Sequence, residues 1–231
     1  YDLETDLATI YEFPHRFYDL ISGDDGYFWL IANGEQGNNT LVRFDPDQST
    51  FEPFTTLEQK NPFRGLRLNC LFEDQNGQIW IGTDQGLFRV NTRRTDVSQY
   101  NPTEHVRGAT VRTIAQDQIG QLWVGSSEGI MVLDEKGGLA FTLSEKDGLS
   151  NDNVSTIVED RNGQIWISTD GGLNVWLPEQ KAFRYFYAND GFAADQFTTN
   201  SGALSPVNYL YFGSVNGFSR FNPESVLTAD S

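Results

Sequence analysis

Apolar and polar positions along this chain recur in short alternating runs, not in helical stripes. Residues 68–73, 111–116 and 154–159 each begin apolar and end at an Asp-x-x-Gly turn. Residues 78–83 then alternate, with Ile79 and Ile81 on one face, turn at Asp84-Gln85-Gly86 and return through residues 87–91. Alternation with a period of two, bounded by Asp, Asn and Gly, predicts strands joined by tight turns. In such turns Asp supplies side-chain to backbone bonds and Gly accepts positive φ. A fourth, weaker strand carrying aromatics is expected at 51–54, 97–100, 139–143 and 183–187. No stretch has the pattern of a capped amphipathic helix, so the expected class is all-β.

The runs form a repeat. Residues 71–91 (LFEDQNGQIWIGTDQGLFRVN), 114–134 (IAQDQIGQLWVGSSEGIMVLD) and 157–177 (IVEDRNGQIWISTDGGLNVWL) share the frame Asp-x-x-Gly-x-x-Trp-x-(Gly/Ser)-x-x-x-Gly. Trp80, Trp123 and Trp166 are 43 residues apart, as are Asp74, Asp117 and Asp160, with Gly77, Gly120 and Gly163 keeping step. Two degenerate copies flank these. Upstream, Trp29 stands 51 residues before Trp80; downstream, Tyr211 stands 45 residues after Trp166. Four antiparallel strands per unit, repeated at this period, predict a β-propeller of five four-stranded blades. The units are expected at about 17–54, 67–100, 110–143, 153–187 and 196–222. In that packing each Trp fills the space between its blade and the next, so the repeated Asp, Gly and Trp read as scaffold.

The last unit lacks an aromatic outer strand, and residues 8–13 (ATIYEF) read as a strand without a blade. Pairing the two would close the ring by joining the ends of the chain, with all 231 residues in one domain. The alternative is a segment of a longer array, which would leave a blade face and strand edges unpaired. The start, Tyr1-Asp2-Leu3-Glu4, is neither a methionine nor a signal peptide and reads as that of a mature or excised segment.

The frame at residues 71–87, 114–130 and 157–173 resembles the two-component regulator propeller repeat, which builds the periplasmic sensor regions of hybrid histidine kinases and some diguanylate cyclases. The run from Gln196-Phe197 through Asn200-Ser201-Gly202-Ala203 to Phe221-Asn222-Pro223 is similar to the last blade of such sensors. The resemblance covers roughly residues 15–223; the first unit departs from it, having Ile31 where a Gly should follow the Trp strand. It implies a periplasmic module attached to downstream signalling domains of the same parent chain, with no cofactor.

Charge narrows the partners. Sixteen Lys and Arg face 32 Asp and Glu, a net of −16, which argues against nucleic acid or anionic lipid. No apolar run reaches the ~18 residues of a membrane span. The single cysteine, Cys70, excludes an internal disulfide and fits a buried inner-strand position among Leu68, Leu71 and Phe72.

In a propeller the loops entering each inner strand gather at the channel mouth. Here they hold both histidines, His15 and His105, and Arg16, Lys60, Arg64, Arg67, Arg107, Arg112 and Lys146. Such a concentration on an acidic body predicts a locally positive mouth able to hold a carboxylate, sulfate or phosphate. Tyr18, Asn69, Asn153 and Asn200 at the same end add the stacking and hydrogen bonding that a sugar needs. The Asp-x-x-Gly turns carry one carboxylate each, too few oxygens for calcium, so no metal is expected.

The function these features point to is a non-enzymatic ligand-sensing module that takes a small molecule or oligosaccharide at its mouth. A structural or protein-interaction propeller is the alternative, with Phe183, Tyr185 and Tyr187 as outer-strand contacts. A streptogramin-lyase-like enzyme using His15 or His105 with a divalent cation is the second.

Overall fold

The computed structural model describes residues 10–13, 16–33, 39–56, 61–100, 108–193 and 195–228. Five antiparallel sheets follow one another along the chain. The first holds β1 (Phe17–Ser22), β2 (Phe28–Asn33), β3 (Asn39–Asp45) and β4 (Thr50–Pro53); the second holds β5 (Leu68–Glu73), β6 (Ile79–Thr83), β7 (Gly86–Val90) and β8 (Val97–Tyr100). The third holds β9 (Val111–Gln116), β10 (Leu122–Ser126), β11 (Gly129–Leu133) and β12 (Leu139–Leu143); the fourth holds β13 (Val154–Glu159), β14 (Ile165–Thr169), β15 (Gly172–Leu177) and β16 (Ala182–Phe186). The fifth has three strands, β17 (Phe197–Leu204), β18 (Leu210–Ser214) and β19 (Gly217–Phe221), and is followed by a short helix, α1 (Pro223–Thr228). The inner strands β1, β5, β9, β13 and β17 pack side by side about one axis, which makes the fold a five-bladed β-propeller.

The repeated residues build the blades as the spacing predicts, and the turn Asp does more than turn. Asp74 Oδ1 accepts from the backbone N of Asn76 (2.9 Å) and Gln78 (3.0 Å), while Oδ2 accepts from Trp80 Nε1 at 2.7 Å. Asp117 and Asp160 hold Trp123 and Trp166 the same way, at 2.8 and 2.9 Å. Gly77, Gly120 and Gly163 close these turns at φ 71, 85 and 77°, a left-handed region that a Cβ disfavours. Each indole is thereby fixed at its polar end and presents its apolar body to the next blade. Trp80 packs with Val111, Ile114 and Leu133, Trp123 with Ile157 and Trp176, and Trp166 with Phe212 and Phe221. In the degenerate first blade Gly23 takes the Asp slot, and Asp25 reaches Trp29 Nε1 at 3.4 Å instead.

Two expectations are corrected. Residues 10–13 form no strand and do not complete the fifth blade; Ala8 and Thr9 lie outside the described residues. Tyr11 instead sets its ring on Phe44 (centroids 4.7 Å apart) and Phe13 on Phe51 (4.5 Å). The reason is apolar surface. The first blade's outward face carries Phe28, Phe44 and Phe51, and the two rings cover them. The second correction is α1, which the strand pattern did not anticipate. Asn222 caps it, accepting at Oδ1 from Ser225 N at 3.1 Å, and Pro223 opens its first turn.

Candidate functional site

Each of the first four inner strands has a break in register near its start. Phe17 and Asp19 pair with β2 but Tyr18 does not; Asn69 is passed over between Leu68 and Cys70, Arg112 between Val111 and Thr113, and Ser155 between Val154 and Thr156. In β17 the unpaired stretch runs from 198 to 201 and includes Asn200, which sits at φ 52°. A bulge of this kind re-aims a side chain out of the ladder. Tyr18, Asn69, Arg112, Ser155 and Asn200 all border one cavity of about 1080 Å³ at the mouth of the channel. All five blades thus contribute to one site.

A second tier surrounds the bulged residues. Arg67, Thr110 and Asn153 precede β5, β9 and β13, and each accepts through its carbonyl from a residue of the facing hairpin turn: Asp84 N (3.0 Å), Ser127 N (3.0 Å) and Asp170 N (3.2 Å). In return Arg67 N donates to Asp84 Oδ1 at 3.0 Å, Thr110 N to Ser127 Oγ at 3.1 Å, and Asn153 Nδ2 to the Asp170 carboxylate. These reciprocal pairs hold the rim. The guanidinium groups of Arg67 and Arg112 have no ion-pair or hydrogen-bond partner among the described residues and are available to a ligand.

At the floor lies Asp19. Its carboxylate accepts from Leu71 N at 2.8 Å and Leu20 N at 3.0 Å, and from Asn200 Nδ2 at 3.5 Å. Thr113 Oγ1 reaches the other atom of that amide, Asn200 Oδ1, at 3.4 Å. Burial pushes the Asp19 carboxyl above its ordinary value, opposed by the two backbone N–H groups. Burial likewise pushes up the thiol of Cys70, which is fully enclosed on β5.

Of the residues expected at the mouth, Tyr18, Arg67, Asn69, Arg112, Asn153 and Asn200 line the cavity, while Arg16 and Arg64 are exposed and do not. His15, His105 and Arg107 lie outside the described residues. The described lining carries three carboxylates, Asp19, Asp84 and Asp170, and two guanidiniums, those of Arg67 and Arg112. Counting bases in loops ignores the acids that the hairpin turns and the inner strand bring to the same rim. Ser155, Asp19, Asp84 and Asp170 were missed. The signal for Ser155 was present: Tyr18, Asn69, Arg112, Ser155 and Asn200 each stand eleven residues before Trp29, Trp80, Trp123, Trp166 and Tyr211. Among the described residues no group of three or more His, Cys, Asp or Glu side chains is placed to hold a metal. No helix among them is long and apolar enough to cross a membrane.

Comparison with known proteins places this geometry. Residues 62–85 and 148–171 match the family model of the two component regulator propeller. Those two segments resemble two component regulator propeller repeats and sit in the second and fourth blades of the propeller. Among solved structures, the extracellular domain of BT4673 from B. thetaiotaomicron, described as a one component or hybrid two component system, superposes with a TM-score of 0.73 at 22% identity, over 91% of this chain and 30% of that one. PorZ, a surface component of the type-IX secretion system of Porphyromonas gingivalis, gives 0.68 at 20% identity, over 90% of this chain and 32% of that one. Virginiamycin B lyase from Staphylococcus aureus gives 0.65 at 13% identity, over 90% of this chain and 67% of that one. This chain thus spans about a third of the length of the first two. At these identities the likeness concerns the fold. No curated protein matches the sequence.

Proposed function

We propose that this chain is an extracytoplasmic, periplasmic sensor-type propeller module of a two-component signalling protein, and that its mouth takes a polar ligand of the saccharide class. The observation that carries this reading is the contrast between two sets of equivalent positions. The scaffold positions repeat from blade to blade, whereas the bulge position is Tyr18, Asn69, Arg112, Ser155 and Asn200 in turn, four residue types from five blades around one cavity. A wide, mostly polar bowl with amides, the rings of Tyr18 and Phe197 and two free guanidiniums suits a hydroxyl-rich molecule that is hydrogen-bonded along its edges. The two component regulator propeller repeats and the likeness to an extracellular domain of such a system support the sensor role. Ligand held by all five blades would bias their spacing, and so the pose of α1 and of signalling domains beyond it.

The test is calorimetric titration with a panel of neutral and acidic oligosaccharides. A panel member is expected to bind, with affinity falling about tenfold or more in Arg112→Ala and in Arg67→Ala, the loss appropriate to a charge-assisted hydrogen bond. Binding that ignores both substitutions would move the site away from the mouth. Turnover of any panel member, with or without magnesium, would favour an enzyme.

A further inference from the structure

The seams between blades are not sealed alike at the end opposite the mouth. Between the first and second blades Arg94, fourth in the turn from β7 to β8, donates to Glu73 and to Gly77 O, pairs with Asp25 at 3.2 Å, and lies over the Trp29 ring at 5.6 Å. Between the second and third, Tyr100 stands edge-on to Trp80 with centroids 5.2 Å apart, leaving a void of about 70 Å³. Between the fourth and fifth, Val226 and Leu227 of α1 pack on the core and Arg161 donates to Pro206 O. At the seam between the third and fourth blades Phe141 stands edge-on to Trp123 with centroids 5.8 Å apart, yet the seam holds an open cavity of about 700 Å³.

Named residues account for the difference. Register places Leu143 where Tyr100 stands in the second blade, a shorter side chain without the ring. The turn slot of Arg94 is Lys181, each residue bonding back to the first carbonyl of its turn at positive φ. Lys181 has no ion-pair partner among the described residues, whereas Arg94 has two. Trp176 is the one tryptophan of five that falls outside the repeat frame, and it occupies the register position of Val90 and Leu133. The cavity is accordingly walled by Trp123, Phe141, Leu143, Ile165 and Trp176, with Lys181 at its edge. The acids that border it are engaged: Asp117 holds Trp123, and Glu159 accepts from Gln118 N at 2.9 Å.

We propose that this groove is a second binding site, for a small amphiphilic anion whose planar apolar body lies against Trp123, Phe141 and Trp176 and whose acidic head meets Lys181. Its volume falls within the range of small-molecule sites, about 300 to 1,000 Å³. Apolar walls supply affinity by burial, and the unpaired ammonium at the rim selects charge. The site lies at the Asp-x-x-Gly end of the blades and shares no lining residue with the mouth, so it stands or falls independently of the sensor reading.

The experiment is fluorescence titration of the chain with the anionic dye anilinonaphthalene sulfonate and, in parallel, the neutral dye phenylnaphthylamine. Saturable one-to-one binding of the anion is expected. Lys181→Glu should weaken the anion about tenfold or more and leave the neutral dye within about twofold, because the reversal changes the charge beside the anion by two units near a protein surface. Phe141→Ala should weaken both, and Arg112→Ala neither. Lys181 is exposed, so its variant reports even where Phe141→Ala fails to fold. Absence of saturable binding, indifference of the anion to Lys181→Glu, or equal loss of both dyes in that variant would each overturn the proposal.

Discussion

Asn200 of the last inner strand donates from Nδ2 to Asp19 Oδ2 of the first, at 3.5 Å, and so bridges the two ends of the ring at its hub. The same carboxylate oxygen accepts from Leu71 N of the second blade. Three blades therefore meet on one side chain.

That carboxylate is held at a cost which pH reveals. Burial raises the Asp19 pKa in the folded state above its ordinary 3.8, so the folded chain binds more protons than the unfolded one as pH passes through that range. Its contribution to stability is then most favourable below the unfolded value and is lost as pH rises through the folded one. Asp19→Asn keeps an acceptor for Leu71 N and removes the charge. Thermal melts should show this variant more stable than the parent at pH 7, the gap closing as pH falls toward 4. A gap constant with pH would mean that Asp19 is not desolvated.

The Asp and Trp of each repeat act as a pair, and their strength should differ between blades. Asp160→Ala strips partners from Trp166 Nε1, Asn162 N and Gln164 N at once, beneath an indole with no exposure. Leaving donors unpaired in a buried site costs roughly 2 to 4 kcal/mol in total. Asp25→Ala, whose indole contact is 3.4 Å and near the surface, should cost under about 1 kcal/mol beyond its contact with Arg94. Urea denaturation of the two variants measures the ordering. Equal losses would show that the turn, not the indole, sets the value of the motif.

The blades were legible because the signal repeats: Asp74, Trp80 and their copies recur at one spacing and alternate with a period of two, and packing obeyed both. What was not legible came from places where the repeat stops. The rings of Tyr11 and Phe13 cover the outward face of the first blade by contact across space, which no alternation records. Asn222-Pro223-Glu224 is a helix start in sequence, but six residues are too few to show a helical period. At the mouth the amides and Arg112 were found because they lie at the head of predicted strands. Asp84 and Asp170 were overlooked because hairpin turns read as connections, and only the reciprocal bonds to Arg67 and Asn153 bring them to the rim.

Glycine in the frame after Trp is a packing requirement that can be measured. A Cβ at Gly82 would come within 2.5 Å of Cys70 Sγ and 2.7 Å of Val111 Cγ1, and one at Gly125 within 2.6 Å of both Thr113 Cγ2 and Val154 Cγ1. All four neighbours sit on inner strands that cannot retreat without disturbing the hub. Gly82→Ala and Gly125→Ala should each destabilise by roughly 1 to 3 kcal/mol through overpacking. The fourth blade has Ser168 in this slot and tolerates it, so Ser168→Ala is expected to stay within about 1 kcal/mol of the parent. Chemical denaturation of the three variants separates the positions; a neutral Gly82→Ala would show that β5 can yield.

Arg94 seals its seam by shape as much as by charge, and a lysine in its place separates the two. The guanidinium serves Glu73, Asp25 and the carbonyl of Gly77 from three different nitrogens while lying over Trp29, with side-chain exposures of 13% for Arg94 and 7% for Glu73. Lysine keeps the charge but offers one nitrogen, so it cannot span all three acceptors. Arg94→Lys should therefore lose most of what Arg94→Ala loses, about 2 to 4 kcal/mol for a largely buried pair left open. Because the contact is shielded from solvent, the loss should persist when urea denaturation is repeated in about 0.5 M salt, where the Debye length is only a few ångströms. Full rescue by lysine, or disappearance of the effect in salt, would reduce Arg94 to an ordinary surface ion pair, and the contrast drawn between this seam and the one carrying Lys181 would go with it.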